Sequence, residues 1–174
     1  MRDQPVALTE AGFSLIELLL VVAIILVIAA IAIPNLLRAR TSANESSAAS
    51  SMRQIVTAEV TYSSTYPAQG YAGNLASLGG PATNCTPSVA TGCILDSILT
   101  GGQKSGYTFS AAGFSSSGGT NDSFVAGSAP LTFNGTGLHN FCITNDGVMR
   151  SQVGGTGVPP PPDVPTCQAY AAMQ

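Results

Sequence analysis

Glu17 stands inside an apolar run, Phe13 to Ile33 (FSLIELLLVVAIILVIAAIAI), whose only other polar member is Ser14. On insertion scales a carboxylate at the centre of a bilayer costs about 2.5 to 3.5 kcal/mol, so such a residue usually has a partner and a task. No Lys or Arg lies within four positions of it. Position 13 is one helical turn earlier on the same face, and a free α-amino group there would be largely protonated near neutral pH. Cleavage between Gly12 and Phe13 would create the missing cation, and the chemistry would be charge pairing in an apolar medium. The plainer reading is a carboxyl close enough to the interface to be hydrated or protonated.

The element that carries this carboxylate is a helix. Nineteen of the 21 residues from 13 to 33 are Ala, Val, Ile, Leu or Phe, and at about 1.5 Å per residue the run is roughly 32 Å long. That spans a bilayer core of about 30 Å. The run is apolar on all sides and longer than the apolar core of a secretory signal peptide, and Pro34-Asn35-Leu36-Leu37-Arg38 after it offers no small-x-small cleavage site. A transmembrane helix is expected.

Between Asn35 and Tyr66 there is no Gly or Pro, and Met52, Ile55, Val56 and Val60 share one helical face. The helix is expected to continue from Phe13 to about Tyr66, with Pro34 removing the bond to the Ala30 carbonyl and allowing a kink or local melting. Pro67 ends the pattern. Beyond it the composition turns to Gly, Ser, Thr, Asn and Pro. Tyr107-Thr108-Phe109, Ser123-Phe124-Val125, Leu131-Thr132-Phe133 and Phe141-Cys142-Ile143-Thr144 read as strands, and Asn145-Asp146-Gly147 as a hairpin turn closed by Val148-Met149-Arg150. The expected fold is α+β: a long N-terminal helix, transmembrane in its first half, packed through Met52, Ile55, Val56, Val60 and Tyr62 against a small antiparallel sheet.

The run Ala11-Gly12-Phe13-Ser14-Leu15-Ile16-Glu17-Leu18-Leu19-Leu20-Val21-Val22, with Pro34 following, resembles the class III signal of type IV pilins and pseudopilins. The resemblance is specific over residues 11 to 40 and looser beyond. It implies a pilin-like fold divided into a leader (1–12), a transmembrane and filament-core helix (13–33), an amphipathic stem (34–66) and a β-rich head with a disulfide-bounded C-terminal loop (67–174). It further implies that prepilin peptidase cuts after Gly12, that Phe13 is N-methylated, and that Glu17 pairs with the Phe13 amine of a neighbouring subunit. The implied partners are the bilayer before assembly, an inner-membrane assembly platform and identical or related subunits in a helical polymer. The implied path runs from the inner membrane to a cell-surface pilus used for motility, adhesion or DNA uptake. The lysine and arginine pattern does not set the orientation, because Arg2 lies on one flank of the run and Arg38 and Arg40 on the other. A pseudopilin of type II secretion is the alternative within the family, and a membrane-tethered binding domain that never polymerises is the alternative outside it.

Cys85, Cys93, Cys142 and Cys167 are even in number, lack CxxC spacing and allow three pairings. Local pairing, Cys85 with Cys93 and Cys142 with Cys167, is the expectation, the second bridge tying the proline-rich stretch Val158 to Pro162 back to a strand as in the disulfide-bounded loop of many type IV pilins. A four-thiolate zinc site is the weaker rival, since such sites usually use C-x2-4-C pairs.

Other chemistry has little support. His139 is the sole histidine and no nucleophile elbow accompanies it. There is no phosphate-binding G-x-x-x-x-G-K-[ST] run, and Asp146 lacks the further carboxylates of a calcium loop. Sequons at Asn44, Asn84, Asn121 and Asn134 are common in a chain so rich in Ser and Thr. Neither enzymatic activity nor a cofactor or metal is expected. The whole chain has 174 residues, 9% charged, with a formal net charge of -3, against an ordinary charged content of about 25%. Beyond Tyr66 only Lys104 and Arg150 are basic, against four acidic residues, so strong direct nucleic-acid binding is not expected. No aromatic residue lies between Phe13 and Tyr62, and ring contacts need centroids about 4.5 to 7 Å apart, so a continuous aromatic path through the stem is not expected either.

Overall fold

A computed structural model describes residues 13–155 and 163–173. Its contacts separate a unit ending at Arg38 from one beginning at Ala39. Helix α1, Leu15–Thr65, belongs to both and stays helical through Pro34. It starts two residues later than expected and stops one residue short of Tyr66, whose amide still bonds the Tyr62 carbonyl at 2.8 Å.

In the first unit, Phe13 to Arg38 are exposed, apart from Ala29, which is half-buried. By length and composition this part of α1 is sufficient to cross a membrane.

In the second unit α1 is amphipathic. Ala48, Ser51, Met52, Ile55, Ala58, Glu59 and Tyr62 are buried, a spacing that keeps them on one stripe. The expected stripe is corrected at Val60, which is 51% exposed. Its place is taken by Ala58 and Glu59, because the buried face advances by three and four residues from Ile55 to Tyr62. Val56 packs at the margin of the core.

The stripe lies on a six-stranded antiparallel sheet in which β1 (Gln103–Lys104), β2 (Tyr107–Phe114), β3 (Ser123–Pro130), β4 (His139–Thr144), β5 (Arg150–Val153) and β6 (Ala171–Ala172) are neighbours in chain order. Alternation along the strands sends Tyr107, Phe109, Ala111, Phe124, Ala126, Phe141 and Ile143 into the same core as α1. The opposite face holds Val125 and Cys142, packed with Cys167 of the short helix α3 (Val164–Gln168). Strand β3 is therefore covered on both sides, and its pairing with β2 is in register from Tyr107 against Pro130 to Phe114 against Ser123. Ahead of the sheet lie a 3-10 turn, Leu75–Leu78, capped by Asn74, and helix α2, Ser97–Thr100, capped by Asp96.

Two expected strands differ. Leu131-Thr132-Phe133 is a loop: β3 ends at Pro130, and the carbonyl of Thr132 is taken by the amides of Gly135 and Thr136, which curls the chain back. Asn134 there has a φ of 64°. The Asn145-Asp146-Gly147 turn is present, but β5 begins only at Arg150. The Asp146 carboxylate accepts from Val148 N at 3.0 Å and from the Arg150 guanidinium at 2.5 Å, so Val148 and Met149 stay in the turn. Hydrogen bonding from Arg150 holds the Asp146 carboxyl down at about 2.

The first hairpin was not foreseen. Ser105 and Gly106, at φ 49° and 74°, link β1 to β2, the two positive values that a tight two-residue hairpin demands. Gly106 is also required by space, since a Cβ there would lie 2.8 Å from Thr136 Cβ. Cys85 is bonded to Cys93 and Cys142 to Cys167, with Cα separations of 5.9 and 5.8 Å, which is the local pairing. Residues 158–162 of the proline-rich stretch lie outside the described residues.

Glu59 is the one fully buried ionisable carboxylate among the described residues. Its Oε2 accepts from Ala72 N at 2.8 Å, and its Oε1 has no hydrogen-bond partner. Burial pushes its pKa up from 4.5 to about 7, against the smaller opposing effect of the Ala72 N–H. Below pH 4.5 folded and unfolded chains both hold the proton; between 4.5 and about 7 only the folded chain keeps it. Stability therefore falls as pH rises through this window and levels off above it, by on the order of 3 kcal/mol. Glu59→Gln should flatten that slope and make the protein the more stable form at pH 8. Urea unfolding of both forms from pH 4 to 8 measures this, and parallel pH profiles would contradict it.

Candidate assembly surface

The residues singled out by the sequence fall in two places. Gly12 lies outside the described residues. Phe13 is 80% exposed and Glu17 is in the first turn of α1, where a carboxylate is favoured by the positive end of the helix dipole. Its amide bonds Ser14 O at 3.1 Å. Leu15, Ile16, Leu18, Leu19 and Leu20 around it are all more than half exposed. No described residue of this unit covers that surface, and among the described residues Glu17 has no cation. The surface has the properties of a binding face for lipid or for other apolar helices, with one charge near its start.

In the second unit, consecutive turns of α1 grip the loops at one end of the sheet. Asn44 Nδ2 donates to Thr136 O at 3.0 Å, and Ser47 Oγ donates to Ser105 Oγ at 3.0 Å. Glu45 Oε1 accepts from Leu138 N at 2.6 Å and from His139 N at 3.2 Å. His139 Nδ1 lies 3.2 Å from both Glu45 oxygens. The histidine is thus a structural partner of Glu45, 94 residues away in sequence. Nothing in the sequence announces this pair, because no local pattern links the two residues. The run Thr41 to Ser51, small and polar, reads as middling helix former in isolation; its side chains are the ones that hold the loops.

Aromatic contacts are confined to the second unit. Tyr62 and Tyr66 have centroids 4.9 Å apart, Tyr71 and Phe124 4.7 Å, Tyr107 and Phe141 6.0 Å. Tyr62 Oη donates to Val89 O at 2.6 Å and Tyr107 Oη to His139 O at 3.1 Å. These hydroxyls fasten α1 to the loop at Val89 and β2 to the start of β4. Tyr107 is held above its ordinary phenol pKa, first by burial and then by the nearby charge of Glu45.

No family model matches the chain, and no curated protein is significantly similar to it.

Glu45→Ala would leave two backbone amides and an imidazole without their acceptor. The expected cost is about 1 to 3 kcal/mol of stability, with faster amide hydrogen exchange at Leu138 and His139 and little change in β2 and β3. Unchanged exchange at those two amides would show that Glu45 does not hold the loop.

Proposed function

We propose that the chain is a type IV pilin, a non-enzymatic structural subunit that polymerises through its N-terminal helix into a cell-surface filament. The observation that carries the reading is the exposed, all-round apolar segment of α1 that bears a carboxylate at Glu17, four residues after Phe13, in the Gly12-Phe13 context of a class III signal. Removal of residues 1–12 supplies an amine at Phe13. Paired with Glu17 of an adjacent subunit, it would neutralise a charge that is expensive in an apolar medium and would fix the axial register of neighbouring helices. The apolar side chains to Ile33 would then exchange lipid for one another during assembly, a transfer between two apolar media that costs little. Two disulfides and a Ser- and Thr-rich head suit the oxidising exterior of a cell.

Intact-mass and N-terminal analysis of protein sheared from the cell surface tests the reading. The expected chain begins at N-methylated Phe13. In cells carrying Glu17→Ala the precursor should be processed and remain in the membrane while the surface filament is lost. Processing to Phe13 with retention of the wild-type protein in the membrane would favour a pseudopilin. An unprocessed chain starting at Met1 would sink the filament reading and leave a tethered domain.

A further inference from the structure

The two disulfides occupy very different surroundings. Cys142 and Cys167 are fully buried, one in β4 and the other in α3, and both pack with Val125. Cys85 and Cys93 are half-buried, and both line a cavity of about 240 Å³ together with Gly80, Pro81, Asp96 and Ser97. One water needs only about 10 to 15 Å³ of such space, so the cavity beside this bridge has room for solvent and small solutes. Gly80 packs so closely on Cys85 Sγ that a Cβ at that position would overlap it.

The backbone around the first bridge is strained as well. Cys93 has a φ of 56°, a left-handed conformation that is unfavourable for a residue other than glycine. The enclosed loop is short, with a separation of 8 residues against 25 for the second bridge, so closing it contributes less on the chain-entropy account. Its contacts with the rest of the head do not depend on the sulfurs: Tyr62 Oη donates to Val89 O at 2.6 Å, Gly92 N to Ser77 O at 2.8 Å and Cys93 N to Gly79 O at 3.1 Å. Opening the bridge can therefore proceed without unfolding the sheet.

We propose that Cys85–Cys93 is a thiol–disulfide exchange site for small, uncharged dithiols, while Cys142–Cys167 is closed to them. One thiolate of the reagent attacks a sulfur of the bridge, the S–S bond breaks, and the electron pair passes to the departing cysteine sulfur, which takes up a proton. The second reagent thiol then attacks the mixed disulfide. The products are a cyclic reagent disulfide and two protein thiols: the dithiol is oxidised by two electrons and the bridge is reduced by two. Charge selection comes from Asp96, which lines the cavity and whose carboxylate caps α2 by accepting from Leu99 N at 2.8 Å. Every attacking thiolate approaches it against Coulomb repulsion, and a reagent that also carries carboxylates is repelled more strongly.

The test uses the full chain in detergent micelles, exposed to dithiothreitol or glutathione at pH 8, alkylated at intervals and mapped by peptide mass. With dithiothreitol, Cys85 and Cys93 should be labelled at least tenfold faster than Cys142 and Cys167, and the doubly labelled protein should keep its far-ultraviolet spectrum. Asp96→Asn, which retains a capping side chain, should quicken reaction with glutathione several-fold and reaction with dithiothreitol by less, since its attacking thiolate is the reagent's one negative charge. Labelling of all four cysteines together, or of Cys142 and Cys167 first, would overturn the proposal. Equal effects of Asp96→Asn on both reagents would overturn the charge selection.

Discussion

From residue 15 to residue 33, α1 has no face suited to water. Each large aliphatic side chain is worth about 1.5 to 3 kcal/mol when buried, and this segment buries none of its large ones within its own unit. Lipid or other apolar helices are the environments in which it is stable, and every functional reading of the chain has to provide one of them. Glu17 makes the demand more specific, because an apolar environment that accepts the helix also penalises its carboxylate unless a cation arrives with it. The proposed processing at Gly12-Phe13 answers the second demand, because one peptide-bond cleavage leaves an amine four residues before Glu17.

The second unit solves a different problem with the same helix. Here α1 is the central element of a small core, and the sheet folds over its stripe from Ala48 to Tyr62. Polar and covalent links fasten the parts around that core: the Glu45 contacts to Leu138 and His139, the Asp146–Arg150 pair, and two disulfides. The disulfides differ in kind. Cys142–Cys167 pins α3 against the far face of the sheet, deep in apolar contacts, whereas Cys85–Cys93 closes a surface loop that α1 holds separately through Tyr62. Glu59 works against stability at neutral pH, since its buried carboxylate has one donor for two oxygens.

Much of this was legible in the residues themselves. A membrane-length helix follows from composition over 21 positions, because an all-apolar segment has no alternative partner in so small a chain. The α+β class, the cores of β2, β3 and β4, the Asn145-Asp146-Gly147 turn and the burial of Met52, Ile55 and Tyr62 follow from local periodicity and turn chemistry, which act over a few residues. Leu131 to Phe133 misled because strand-like residue types recur in loops, and their state is settled by whether a partner strand has room for them.

Tertiary structure alone decided the rest. That Val60 faces solvent while Glu59 is buried depends on the direction from which the sheet approaches α1. The pairing of Glu45 with His139 depends on a contact across most of the chain. The edge strands β1 and β6, two residues each, exist only because β2 and β5 offer them open hydrogen-bonding groups. The unequal exposure of the two disulfides is set by what packs around each, a property absent from cysteine spacing. Local sequence determines which segments can be helix or strand and which must leave water; which side chains meet, and which polar groups are trapped where they meet, is determined only when those segments are packed together.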